Sequence, residues 1–182
     1  MKHVMWLRQD VRMADNIALS QACQSPHEGV IALYVLTPKT WQNHHWAPVK
    51  VDLLLRQLAC LSQDLATCNI PLKILTVPTF ADVPDALVTF CQEHDIGQVF
   101  ANQQYLVDEM HRDQQVEQVL QKQDVTCQWF HDAVLMPPQA VLKKEIHNPS
   151  SAMRKHCGYP EPIVDYSAMR QKVIATFKAL PK

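Results

Sequence analysis

Between Trp6 and Leu19 the chain reads W-L-R-Q-D-V-R-M-A-D-N-I-A-L. Arg8, Asp10, Arg12, Asp15 and Asn16 place five charged or polar groups in nine residues, where a strand-like run gives way to an apolar helix pattern. Two guanidiniums and two carboxylates in such a turn can pair with one another, and an aspartate there can cap the helix that follows. Other groups offer less. His44 and His45 are adjacent, but no H-E-x-x-H or paired spacing supports a metal. His111, Arg112 and Asp113 read as a solvated helix face, and no serine sits in a nucleophile-elbow context. Only three glycines occur, Gly29, Gly97 and Gly158. A P-loop and a dinucleotide fingerprint both need glycines clustered within a few residues, so both are excluded.

The elements that must position these groups alternate along the chain. Strand-like runs fall at 3–8, 30–36, 72–77, 98–104 and 125–132, most of them nearly continuous apolar stretches, which is how strands buried on both faces read. Helical patterns lie between them. Asp15 is placed as the cap of a short first helix. Leu54, Leu58, Leu61 and Leu65 mark the second, and Asp82 with Pro84 opens the third. The stretch D-E-M-H-R-D-Q-Q-V-E-Q-V-L-Q-K-Q supplies the fourth. This alternation predicts an α/β fold: a doubly wound, Rossmann-like, five-stranded parallel sheet of order 3-2-1-4-5. Ligands in such sheets bind beyond the carboxyl ends of the strands, where Arg8 to Asn16 lie.

The alternation stops near Pro137-Pro138. A proline-punctuated stretch follows, then an amphipathic pattern from Asp165 to Ala179 carrying Met169, Val173, Ile174 and Phe177. The expected organisation is an α/β domain over 1–141 and a linker with a C-terminal helical tail over 142–182. The chain has 182 residues, 47% hydrophobic and 19% charged, with net charge -1, which fits a globular protein and argues against nucleic-acid binding by bulk charge. Six cysteines without a C-x-x-C pair, each in an apolar or helical context, read as buried reduced thiols. No signal-peptide pattern opens the sequence, and no apolar run reaches the ~20 residues that span a bilayer. A cytoplasmic protein without membrane contact is expected.

The opening stretch resembles the start of the DNA photolyase and cryptochrome family, whose pattern is Arg-x-Asp-Leu-Arg-x-x-Asp-Asn-x-Ala-Leu after an aromatic-rich strand. Trp6, Arg8, Asp10, Arg12, Asp15, Asn16, Ala18 and Leu19 match, with Val11 in place of the leucine. The resemblance continues through L-Y-V-L-T-P-K-T-W, N-Q-Q-Y-L-V-D-E-M-H-R-D and H-D-A-V-L-M-P-P, covering residues 3–141, the family's N-terminal α/β domain. The segments K-E-I-H-N-P and Y-P-E-P-I-V-D-Y-S-A-M-R-Q-K-V-I-A-T-F are similar to the extreme C-terminus of bacterial deoxyribodipyrimidine photolyases. The family's large helical domain, which carries the flavin and the lesion pocket, has no counterpart between them, and the junction falls near Val141 to Lys144.

The resemblance implies light-driven repair of cyclobutane pyrimidine dimers in the full-length family, with the chain by itself inactive. FAD is not expected, and DNA would be a partner only of a full-length enzyme. The family's α/β domain holds a light-harvesting antenna, often methenyltetrahydrofolate, and three residues match its contacts: His44, Asp108 and Glu109. A carboxylate such as Glu109 can accept two adjacent N–H groups of a pterin edge; the bland alternative is a first-turn acid favouring the helix dipole. With the opposite wall absent, a weak half-site is expected. The resemblance also makes Arg8, Asp10 and Arg12 an interdomain turn. Two rival readings stand beside it: a ligand-free interaction domain, forming a homodimer through the C-terminal helix or the exposed interdomain surface, and a nucleotide-binding Rossmann-like module.

Overall fold

The computed structural model describes residues 1–24 and 28–134, together with Ala152, Lys155, Arg170 and Gln171, which are helical. The first compact unit is Met1–Leu135 and the second Met136–Lys182. The boundary at 141, the junction near Val141 to Lys144 and most of the tail helix from Asp165 lie outside the described residues.

Five strands form the sheet: β1 (Lys2–Leu7), β2 (Val30–Leu36), β3 (Leu72–Thr76), β4 (Ile96–Asn102) and β5 (Thr126–Phe130). All pair in parallel, in the order β3-β2-β1-β4-β5, as the alternation predicts. Side chains alternate across the pleat. Val4 and Trp6 of β1 face one layer, with Leu87, Phe90, Val116 and Leu120. Met5 and Leu7 face the other, with Ala18, Ala22, Leu58, Leu61 and Leu65. Each fully buried Leu contributes about 1.5–3 kcal/mol relative to an exposed one. The expectation that most strands are buried on both faces holds for β1, β2 and β4 but not for the two edges. β3 leaves Lys73 and Ile74 exposed, and β5 is only half-buried; an edge strand is covered less than the apolar character of its sequence suggests.

The helices are α1 (Ile17–Gln24), α2 (Pro38–Asn43), α3 (Pro48–Thr67), α4 (Val83–His94) and α5 (Val107–Gln121), with a 3-10 turn at Phe80–Asp82 before α4. Two caps differ from expectation. The first helix is capped by Asn16, whose Oδ1 accepts from the Leu19 backbone N–H at 3.1 Å. Asp15, with φ +50°, makes the left-handed turn one residue earlier. Asp82 does not cap α4 either: its carboxylate reaches back to the backbone N–H and hydroxyl of Thr79, at 2.9 and 2.7 Å. Pro84 does sit in the first turn of α4. The thiols also depart from expectation. Cys91 is buried and Cys127 half-buried, but Cys23, Cys60 and Cys68 are exposed, because they lie on the outer faces of α1 and α3 or at the α3 end.

No helix among the described residues is long and apolar enough to cross a membrane.

Candidate cofactor-binding site

β2 and β3 lie on one side of β1, and β4 and β5, added after the chain crosses back, on the other. The carboxyl end of β1, beside that of β4, is therefore the switch point where such sheets open a crevice. The charged turn sits there and is pinned from inside the α/β unit. Asp10 accepts from the Arg8 backbone N–H at 2.7 Å and from Asn102 Nδ2 at 2.7 Å. Asn102 Nδ2 also reaches Asn16 Oδ1 at 2.8 Å, and Asn102 Oδ1 accepts from the Ala18 N–H at 3.1 Å. Asn102 at the end of β4 thus ties the turn to the start of α1. Arg12 donates to Asp132 Oδ2 at 2.5 Å and to the Asp15 carbonyl at 2.9 Å. Arg8, only 6% exposed, donates to the Asn102 carbonyl.

Above β1 and β2 lies a second charged group. The buried face of α5 carries Glu109, Arg112 and Asp113 before Val116 and Leu120. Arg112 donates to Asp113 Oδ1 through Nε at 2.9 Å and Nη2 at 2.6 Å, and to Gln104 Oε1 at 2.7 Å. Its guanidinium lies 4.9 Å from the Trp6 ring and 4.7 Å from Phe80. Arg8 lies 4.5 Å from Trp6 and 5.3 Å from Trp129. Two arginines therefore share one aspartate. Arg8 Nη1 is 3.7 Å from Asp113 Oδ2, within ion-pair range but beyond hydrogen-bond reach. Burial pulls the Arg8 guanidinium down to about 10, with Asp113 opposing and Arg112 adding to the fall. Burial also pushes the Tyr34 hydroxyl up to about 12, against the pull of Arg112.

Arg8, Arg112 and Glu109 line a chamber, partly open to solvent, walled by Trp6, Tyr34, Trp41, Trp46, Phe80 and Gln104. Trp41 and Trp46 stack with centroids 5.3 Å apart and planes 4° apart, and the Lys50 ammonium lies 3.5 Å from the Trp46 centroid. Four buried atoms around it have no hydrogen-bond partner among the described residues: Trp6 Nε1, Arg8 Nε, Arg8 Nη1 and Asp113 Oδ2.

The three residues matched to folate contacts come to this rim. Glu109 lines the chamber at 8% exposure and makes no hydrogen bond or ion pair among the described residues. His44 and Asp108 meet one another, Nε2 to Oδ2 at 3.5 Å, both substantially exposed. His44 also packs edge-on to Phe80, with centroids 6.2 Å apart.

A family model for DNA photolyase matches residues 3–155. The chain belongs to the DNA photolyase family. It is 39% identical over 140 residues to the deoxyribodipyrimidine photo-lyase of Escherichia coli K12, covering 77% of this chain and 29% of that protein. With the Vibrio cholerae photo-lyase it shares 38% over 142 residues, 78% of this chain and 30% of that protein. The chain thus spans less than a third of the length of these relatives. An archaeal photolyase from Sulfolobus tokodaii, solved with two FAD molecules, superposes with a TM-score of 0.71 at 16% identity, covering 88% of this chain and 35% of that one. The five-stranded sheet is the family's N-terminal α/β domain.

Within this family domain, Arg112 and Asp113 are the residues that sequence reasoning misplaced. They are 5% and 7% exposed, not a solvated face. The signal was there: Glu109, Arg112, Asp113, Val116 and Leu120 recur at helical spacing. Their charge hid it, because an ion-paired arginine with its faces against aromatic rings can be buried where a lone one cannot. Trp41 and Gln104 stood in stretches that carried the family resemblance but had no signal of a shared wall, and Trp46 had none.

Proposed function

We propose that this domain holds a light-harvesting cofactor of the reduced-folate class, methenyltetrahydrofolate, and serves light-driven repair of pyrimidine dimers only as part of a full-length enzyme. The observation that carries the reading is Glu109, a residue only 8% exposed with no hydrogen bond or ion pair among the described residues, facing an aromatic-walled chamber at the carboxyl ends of the strands. Its carboxylate is available to accept hydrogen bonds, and a ligand edge with two adjacent N–H donors would engage it. His44 and Asp108 stand at the rim, where they would meet the same ligand after parting from each other. Asp10 and Arg12, which still reach solvent, would face the helical domain of a full-length relative. By itself the chain is expected to bind folate weakly, to bind no flavin and to repair nothing.

Fluorescence titration with methenyltetrahydrofolate tests this. Glu109→Ala is expected to weaken binding by about 1.5–3 kcal/mol, the cost of losing a charged hydrogen-bond pair. Equal affinity in wild type and variant would leave Glu109 a first-turn acid. Stoichiometric flavin absorbance near ~450 nm, a property of the cofactor itself, would overturn the flavin-free reading.

A second reading is favoured by exposed apolar side chains: Val49 and Leu53 on α3, and Leu106, Val107 and Met110 at the start of α5. These suit a ligand-free interaction domain that forms a homodimer. Light scattering separates the two: a folate-silent dimer supports the second.

A further inference from the structure

α1 and α3 lead into β2 and β3, which are neighbours in the sheet with Ala32 beside Leu72. The last turns of both helices therefore lie together at the amino edge of the sheet, opposite the edge that carries the chamber. They cover the same face: Ala22 of α1, Leu65 of α3 and Ile70 just after it share one apolar cluster. The cysteines beside these residues reach the surface. Cys23 follows Ala22, Cys68 caps the end of α3, and both are exposed. Both line one open groove, with Leu19, Ser20 and Ile70. Burial, and then the charge of Cys68, push the Cys23 thiol above its ordinary range. The effect of one charge on another fades with distance, so the second cause places the two sulfurs near one another.

We propose that Cys23 and Cys68 form a reversible redox site, a thiol pair that closes to a disulfide and braces α1 against α3. The site is independent of the folate reading. A disulfide needs its Cβ atoms about 3.8 Å apart, and the chain ends that carry this pair can supply the approach. Cys23 is one residue from the end of α1, and Cys68 has left α3 and is followed by Asn69 at φ +57°. The Cys68 Sγ meets the Thr67 hydroxyl at 3.8 Å, a weak contact from which the side chain can turn.

The oxidant is a small disulfide of the glutathione class. One protein thiolate attacks a sulfur of oxidised glutathione and expels a glutathione thiolate, leaving a mixed disulfide. The second protein thiolate attacks the protein-bound sulfur of that bond, expels the other glutathione and closes the Sγ–Sγ bond. Two protein thiols are oxidised, one disulfide is reduced to two thiols, and both protons go to the released glutathione. Reduced glutathione in excess runs the sequence backwards. Closing the chain from 23 to 68 into a loop restricts the unfolded state and so stabilises the fold. Cys60 supplies an internal control, exposed like the pair but about 12 Å back along α3.

The test uses the full chain, incubated with oxidised glutathione and mapped by mass spectrometry without reductant. Peptides joining Cys23 to Cys68 are expected, with glutathione on Cys60, and reduced glutathione is expected to restore the thiols. Cys60→Ser is expected to keep the link. Cys68→Ser is expected to lose it and to leave Cys23 as a mixed disulfide. Glutathione held separately on Cys23 and Cys68, or a bond from either one to Cys60 or Cys157, overturns the pair. Melting curves read the brace. Oxidation is expected to raise the melting temperature of the wild type and of Cys60→Ser by roughly 5–15 °C, and to leave that of Cys68→Ser unchanged. A linked protein that melts like the reduced one overturns the brace.

Discussion

Two charged clusters lie side by side at the carboxyl end of this sheet, built from the same residue types, and their hydrogen bonding differs. In the turn after β1, Asp10, Asn16 and Asn102 close a polar network on backbone and side-chain partners. Around the chamber, Arg8 Nε, Arg8 Nη1, Trp6 Nε1 and Asp113 Oδ2 are buried without a hydrogen bond among the described residues. A satisfied network fixes geometry; an unsatisfied one of equal burial costs free energy that something else must offset. The difference separates a cluster that holds the fold from one arranged to meet something.

The largest expected effect comes from breaking the point the two clusters share. Asp113→Ala leaves Arg8 and Arg112 buried without their common counter-charge and is expected to destabilise by about 3–5 kcal/mol. Urea unfolding measures it, and a loss below 1 kcal/mol (~1, the scale of an exposed pair) would mean that the arginines are not held by this carboxylate. Next comes the satisfied cluster. Asn102→Ala removes three hydrogen bonds that join β4, the turn and α1, and is expected to cost about 2–4 kcal/mol, measured the same way. Glu109→Gln sharpens the contrast from the other side. It removes a charge with no partner, so stability is expected to stay within about 1 kcal/mol or rise, while folate affinity falls. A strongly destabilised Glu109→Gln protein would show the carboxylate to be structural.

The smallest effect near neutral pH belongs to the buried thiols and Tyr34. Burial pushes Cys91 and Cys127 each up to about 12, and Tyr34 to about 12. Their protonated forms are favoured in the folded state, and the unfolded chain loses these protons first as pH rises. Stability from this source is whole below the ordinary thiol range near ~8.5 and falls between there and about 12. Unfolding curves from neutral pH upward check the sign. Thiol labelling of the native protein is expected to reach Cys60 and Cys68 and to spare Cys91.

Much of the fold was legible because it rests on local periodicity. Apolar runs bounded by helix patterns, with right-handed crossovers, suffice for a five-stranded parallel sheet in the order β3-β2-β1-β4-β5. The leucines of α3 lie on the buried face that their spacing assigns, Leu58, Leu61 and Leu65 fully so. The Arg-Asp turn was placed at the correct strand end for the same reason. Family membership was carried by a few fixed polar positions in one window.

Other features depend on which residues meet in space, and there the amino-acid sequence alone misled or was silent. Asp15 and Asn16 are equally able to cap a helix; the choice of Asn16 follows from Asn102, distant in sequence, which binds its side chain. Asp82 turned away from α4 because Thr79 offered two donors closer at hand. His44 and Asp108 were read as separate contacts, and only folding makes them a pair. Arg112 and Asp113 resembled a surface until Trp6, Phe80 and Gln104, from a strand, a 3-10 turn and a loop, closed around the guanidinium. A sequence carries periodicity, which decides which side of a helix is buried. Whether a charge can be buried there is decided by the desolvation cost against partners that arrive from elsewhere in the chain, and only the tertiary structure brings those partners together.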